Sequence, residues 1–165
     1  TVLYVPSYFD FPRIRNLCVR GGRDPEEAAA LADAGRPVEG WDVAYLSEYS
    51  PDKDVGRARA MFRDGSLPLI IATERLHAIS RAAFRGARHV IFYGPLTVAS
   101  FYEEFLAPLR EEKERGATVS ALCLFDSYDR PALSRLVGTE QAADMTAPQD
   151  LSAKDKGKTQ AYVFV

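Results

Sequence analysis

Apolar side chains fall in short unbroken runs along this chain, separated by longer amphipathic stretches. Six runs read as strands: Val2–Val5, Val43–Leu46, Leu67–Ala72, His89–Tyr93, Val119–Phe125 and Ala161–Val165. Most are continuous rather than alternating, which suits strands covered on both faces of a sheet. Helix-period segments lie between them, so the order is β-α-β. The expected fold class is therefore α/β: a doubly wound, mainly parallel sheet of about six strands with helices on both faces.

The helices have legible ends. Asp10-Phe11-Pro12 opens the first, with Ile14, Leu17 and Cys18 expected inward, and Gly21-Gly22 closes it. Residues 22–40 read as a surface insertion holding a short helix, Pro25 to Leu31. Ser50-Pro51-Asp52 starts the next helix, whose stripe is Val55, Ala58, Met61 and Phe62, and Gly65 stops it. The longest helix is expected over about 98–114, with Phe101, Phe105 and Leu109 on one face. Pro108 sits inside that pattern and predicts a kink or a division. Asp129-Arg130-Pro131 begins a helix carrying Leu133 and Leu136, and Gly138-Thr139-Glu140 restarts a short one to about Met145. Residues 146–160, poor in large apolar side chains, read as a flexible loop before the last strand.

Composition narrows the class. The chain has 165 residues, 47% hydrophobic and 27% charged, as expected of a single globular lobe over 1–165. No apolar run approaches the ~18 residues that cross a bilayer, so no membrane partner is expected. The chain opens inside a strand, without Met and without a basic-then-apolar leader, and reads as a fragment of a longer protein. Cys18 and Cys123 read as buried free thiols. Two cysteines and two histidines at unrelated spacings make no zinc pattern, so no metal is expected. His77 and His89 lack a nucleophile partner and read as structural. A small-molecule enzyme on such a sheet needs a Gly-rich first turn or a nucleophile–base pair, and the sequence has neither. No cofactor is expected.

Charge adds a candidate. The net charge is −2. Between Arg57 and His89, however, stand seven arginines (57, 59, 63, 75, 81, 85, 88), no lysine, and two acids, Asp64 and Glu74. Guanidinium forks match phosphate oxygens. RNA contact, a protein interface and plain solvation all remain open for this segment. Strand carboxyl ends add Pro6-Ser7-Tyr8 and Thr73-Glu74-Arg75, where open α/β sheets place ligands. For Ser7 and Asp10 a capping role is equally open. An ion pair between Glu74 and Arg75 is the alternative for Arg75. Tyr8, Phe9 and Phe11 could stack on bases, with core packing the default for Phe9 and Phe11. Asp126 and Asp129 flank Ser127-Tyr128, and a helix cap is the expected role of Asp129.

One ordered series of segments carries a family likeness. It runs Val5-Pro6-Ser7-Tyr8-Phe9-Asp10-Phe11, Ser47-Glu48-Tyr49, Arg57-Ala58-Arg59-Ala60-Met61-Phe62, Thr73-Glu74-Arg75-Leu76-His77 and Arg85-Gly86-Ala87-Arg88-His89-Val90-Ile91-Phe92-Tyr93-Gly94. Ser127-Tyr128-Asp129 and Val137-Gly138-Thr139-Glu140 complete it. The series resembles the C-terminal lobe of the digestive-organ-expansion-factor family. Those proteins are helicase-like, DEAD-box-derived subunits of the small-subunit processome, the nucleolar particle that matures small-subunit ribosomal RNA. Gly94-Pro95-Leu96 departs from the family's Leu-before-Pro turn.

The resemblance implies a RecA-like lobe, a nuclear and nucleolar location, and a part in ribosome biogenesis. Implied partners are pre-ribosomal RNA, small nucleolar RNA and other processome proteins. Ser7, Tyr8 and Thr73 match positions that touch RNA in related lobes. With Arg57, Arg59, Arg75, Arg85 and Arg88 they make the expected RNA-binding set.

The resemblance also implies lost catalysis. A working second helicase lobe places His-Arg-x-Gly-Arg-x-x-Arg on a helix after the fourth strand, where its arginines stabilise charge on ATP. The residues in that frame here are Glu104-Phe105-Leu106-Ala107-Pro108-Leu109-Arg110-Glu111. Ala72-Thr73-Glu74 imitates a helicase Ala-Thr-Asp, but no matching downstream acid follows. No phosphate loop or Asp-Glu-Ala-Asp segment occurs, though helicases carry both on the other lobe. The expectation is a non-catalytic scaffold, with Glu103 and Glu104 turned to partner binding. The alternative is the second lobe of an active ATP-dependent RNA helicase.

Overall fold

The computed structural model describes residues 1–34, 39–81 and 83–147. The expected sixth strand, Ala161–Val165, and residues 148–160 of the expected loop lie outside them. The elements run β1 (Val2–Val5), α1 (Asp10–Val19), α2 (Pro25–Asp33), β2 (Val43–Leu46), α3 (Asp52–Asp64), β3 (Leu69–Thr73), α4 (Glu74–Ser80), β4 (His89–Phe92), α5 (Phe101–Glu114) and β5 (Ser120–Cys123). A 3-10 turn (Ser127–Asp129), α6 (Arg130–Val137) and α7 (Thr139–Met145) follow. The chain divides into two compact units, Thr1–Leu124 and Phe125–Val165.

In the first unit a five-stranded sheet has the order β2-β3-β1-β4-β5. Every pairing is parallel, with Val5 opposite Thr73, Tyr4 opposite Phe92 and Phe92 opposite Cys123. The fold class is as expected, α/β and consistent with a RecA-like lobe. β1 is central, so the chain leaves it in one direction to reach β2 and then returns through β3, passing over β1, to β4 and β5. Right-handed crossovers running in opposite directions must lie on opposite faces. Accordingly, Phe11, Ile14 and Cys18 of α1 pack with Val5 and Ile71 on one face. On the other, Val55, Ala58 and Phe62 of α3, Leu76 of α4, and Phe101, Phe105 and Leu109 of α5 pack with Val2, Tyr4, Ile70, Ala72, Val90 and Phe92. At about 25 cal/mol per Å² of apolar surface, this two-faced burial is the main force holding the sheet.

Several details correct the periodicity. Leu17 and Met61 face solvent, and Phe11 takes the inward place on α1. Phe9 is also exposed, whereas Phe11 is core. Cys18 is buried as expected, but Cys123 only partly so. The third strand begins at Leu69, since Pro68 has no N–H for the ladder. Pro108 neither divides nor ends α5, which runs unbroken from Phe101 to Glu114 with Pro108 buried. Its neighbours Phe105 and Leu109 are anchored in the core on either side, and that packing outweighs one missing helix hydrogen bond. Gly21, at φ +62°, closes α1, and an added Cβ there would meet the Glu39 carbonyl oxygen.

In the second unit Leu133 of α6 packs with Ala142 and Met145 of α7, joined by Phe125 and Val137. Asp126, rather than Asp129 alone, caps the turn. Its Oδ1 accepts the Tyr128 N–H at 2.7 Å, and Asp129 Oδ2 accepts the Asp126 N–H at 3.0 Å.

Candidate functional site

Parallel strands send all their carboxyl ends to one edge of the first unit. There stand Pro6-Ser7-Tyr8 after β1, Ser47-Glu48-Tyr49 after β2, Thr73-Glu74-Arg75 at the β3–α4 junction and Tyr93-Gly94-Pro95 after β4. Open α/β sheets bind ligands in crevices at this edge, beside the strand where crossover direction reverses. Here that strand is β1.

The loops are bound to one another by buried side chains. Ser7 Oγ accepts the Phe9 N–H at 3.2 Å, which is the capping alternative raised by the sequence. Thr73 Oγ accepts the Leu76 N–H at 3.3 Å, capping α4, and donates to Glu48 Oε2 at 3.0 Å. The Glu48 side chain is 4% exposed, and its Oε1 faces the Arg75 guanidinium at 3.5 Å. Thr73 is thus buried, and its one hydroxyl proton is given to Glu48 rather than left for a phosphate. Arg75 pairs with Glu48, not Glu74. Above this tie, the ring of Tyr8 meets that of Tyr49 edge-on at 5.6 Å and stacks on buried Phe11 at 6.2 Å.

Glu74 does a different task. It is buried, and its two oxygens accept the N–H groups of Thr97 (3.0 Å) and Val98 (2.8 Å). A carboxylate beside two amides that no helix satisfies locks the turn before α5 to the β3–α4 corner.

Glu104 lies in the first turn of α5, and it reaches back into its own lobe. Its Oε2 meets Nε2 of buried His77 at 2.8 Å, and Arg81 donates to both carboxylate oxygens at 2.8 and 2.9 Å. Arg81 adopts φ +47° at the end of α4 and lies over the Phe101 ring at 4.9 Å. His77 packs against Phe105 and Phe101, at 4.4 and 5.1 Å between ring centres. The His77 hydrogen bond, then the Arg81 contacts, hold the Glu104 carboxyl below its ordinary range. Glu104, expected to face a partner, turns both oxygens to the α4–α5 junction while its side chain stays 44% exposed. Glu103 stays exposed and carries no ion pair among the described residues.

The arginines do not form one face. Arg75 stands at the carboxyl edge, while Arg57 and Arg59 are exposed along α3. Arg85 and Arg88 precede β4 and so lie at the opposite, amino edge. There they line a groove of about 560 Å³ with Arg63, Arg115 and Glu112. Nearly buried Glu112 holds Arg115 at 2.6 Å and Arg88 at 3.8 Å. The carboxyl ends of α3 and α5 also converge here, and their negative dipole ends favour cations. The clustering in sequence arises because α4 and the loop after it carry the chain from one edge to the other.

Sequence reasoning did not see the roles of Glu48, Glu74 and the His77–Glu104 contact. Tyr49 appeared only within a family segment, and the signal it offered was an aromatic in the loop after a strand. Among the described residues no group of His, Cys, Asp or Glu is placed to hold a metal ion, and no helix is long and apolar enough to cross a membrane. The hydroxyls of Ser7 and Ser47 accept backbone amides, and His77 meets Glu104.

The protein is an open parallel α/β lobe, consistent with a RecA-like fold, whose carboxyl edge is bound up by structural carboxylates and topped by exposed aromatics. The chain belongs to the family described as Utp25, C-terminal domain, which matches residues 1–153. It is similar to the U3 small nucleolar RNA-associated protein 25 homolog of Rattus norvegicus, 34% identical over 88% of this chain and 17% of the relative. It is also similar to U3 small nucleolar RNA-associated protein 25 of Phaeosphaeria nodorum (31%; 99% of this chain, 21% of the relative) and of Schizosaccharomyces pombe (32%; 87% and 20%). The chain spans about a fifth of the length of these relatives.

Proposed function

We propose that this lobe is a non-catalytic, helicase-like scaffold of the small-subunit processome. It acts in the nucleolus, in small-subunit ribosomal RNA maturation, holding pre-ribosomal RNA, small nucleolar RNA and neighbouring proteins in place. The names of its relatives, each associated with U3 small nucleolar RNA, support the setting. The resemblance to the digestive-organ-expansion-factor lobe supports the same particle.

The observation that carries the non-catalytic reading is the α5 frame. In a working lobe this frame supplies arginines to ATP bound at a neighbouring lobe. Here the three arginine places hold Phe105, Pro108 and Glu111, the first two buried in the lobe. None of them can stabilise phosphate charge, and an arginine finger is worth about 10³–10⁵ in rate. The RNA-facing surface is the carboxyl edge, with Ser7, Tyr8 and Arg75, extended along α3 by Arg57 and Arg59. Glu103 is the partner-facing acid.

An ATPase assay on the full-length protein, with and without RNA, tests this reading. No turnover above background is expected. RNA-stimulated turnover that disappears on substitution within this lobe would restore the active-helicase alternative.

A further inference from the structure

The carboxyl edge offers phosphates few cations, and several acids share them. Arg75 is shared with Glu48 and Arg13 with Asp10, while Lys53 lies between Asp52 and Asp54. The first turns of α1, α3 and α5 carry their own acids, Asp10, Asp52 and Asp54, and Glu103 and Glu104, which neutralise the positive ends of those helices. What the edge does present is aromatic surface. Tyr8 is 41% exposed, Tyr49 71% and Phe9 86%.

These rings are held, not merely exposed. Buried Phe11 supports Tyr8 in a near-parallel stack at 6.2 Å, and Tyr8 meets Tyr49 at an interplanar angle of 81°. In an edge-on pair the edge of one ring covers a face of the other, so further ring faces remain open to solvent. Ser47 Oγ accepts the Tyr49 N–H at 3.3 Å and fixes the backbone beneath it. A ring already held in place loses little freedom when a second ring stacks on it. Every base offers a π-face, but in a duplex that face is covered by its neighbours.

We propose that Tyr8 and Tyr49 form a stacking platform for unpaired bases of RNA, with Phe9 beside it. The lobe then recognises single-stranded nucleotides through their rings, not duplex through its phosphates. This rests on the reading that the lobe holds RNA, and it names the kind of RNA held.

The test measures binding of the full-length protein to two fluorescein-labelled probes, a short oligoadenylate and a blunt RNA duplex of the same length. The protein is compared with Tyr8→Leu/Tyr49→Leu and Tyr8→Phe/Tyr49→Phe variants. The Leu variant is expected to lose about 10-fold or more in oligoadenylate affinity for each ring removed and to bind duplex unchanged. The Phe variant, which keeps both rings, retains wild-type affinity. Photocrosslinking of an oligouridylate containing 5-iodouridine, mapped by mass spectrometry, is expected to mark Tyr8 or Tyr49. Thermal melting checks folding, and if the double Leu variant melts early, the exposed single variant Tyr49→Ser is read instead. Unchanged oligoadenylate affinity in a folded Leu variant overturns the platform while leaving RNA binding by the lobe intact, and the patch then serves a protein. Equal losses on both probes, shared by the Phe variant, overturn it in favour of hydroxyl contacts to the backbone. A wild-type protein that binds neither probe overturns the RNA reading itself.

Discussion

Glu104 and His77, 27 residues apart, meet at 2.8 Å between the first turn of α5 and the buried face of α4. The contact joins two crossover helices that share one face of the sheet. It also fixes a residue that the sequence frame presents as a surface group. With Arg81 on the same carboxylate, Glu104 becomes a structural ion with a pH signature.

That signature has a defined sign. The folded carboxyl titrates below its ordinary value of 4.5, chiefly through the His77 hydrogen bond. A depressed carboxyl stabilises the fold above the unfolded value, and that contribution is lost as pH falls through the folded one. Glu104→Gln is therefore expected to melt below wild type at pH 7, with the gap narrowing as pH drops beneath 4.5. Paired thermal melts across that range check it, and a gap independent of pH would show that the carboxylate charge plays no part.

Glu74 holds two amides ahead of α5, and no other partner within the described residues reaches them. Glu74→Ala should cost about 2–4 kcal/mol, since a buried N–H left unmade costs about 1–3 kcal/mol and some amides recover water. Urea denaturation reads this directly. A loss under about 0.5 kcal/mol, the range of ordinary surface changes, would mean the turn is not held by this side chain.

Placing arginines at opposite edges separates their effects. Arg75→Gln should weaken binding of a short single-stranded RNA and flatten its salt dependence by about 0.7, one phosphate contact. Arg85→Gln with Arg88→Gln should change neither affinity nor slope for the same probe. Titrations at several salt concentrations decide the matter, and a slope that drops with the second variant would put RNA on the amino edge.

Of the two acids opening α5, only Glu103 is free to meet a partner. Glu103→Lys is expected to leave the melting temperature unchanged and to reduce co-purification of other processome proteins. Glu104→Lys should lower the melting temperature, because it sets a cation against Arg81 and removes the partner of His77. Equal incorporation of wild type and the Glu103 variant would make this surface merely solvated.

The sequence by itself determined the sheet and its covering. Continuous apolar runs marked all five described strands, most clearly central β1 and β3, because a parallel strand buried on both faces has no polar alternation to hide it. Glycines 21, 65 and 138 marked helix ends by their need for positive φ. Tyr8 and the lost arginines of α5 were legible as residue types at known places along the chain. Only the tertiary structure decided what the polar side chains do. Thr73 and Glu48 lie 25 residues apart, Glu74 and Val98 24, and His77 and Glu104 27, so no local period links them. The parallel run of the strands brings those loops to one edge and sends Arg85 and Arg88, ahead of β4, to the other. Neighbours in sequence separate there, and distant residues meet, because each strand and helix carries the chain once across the lobe.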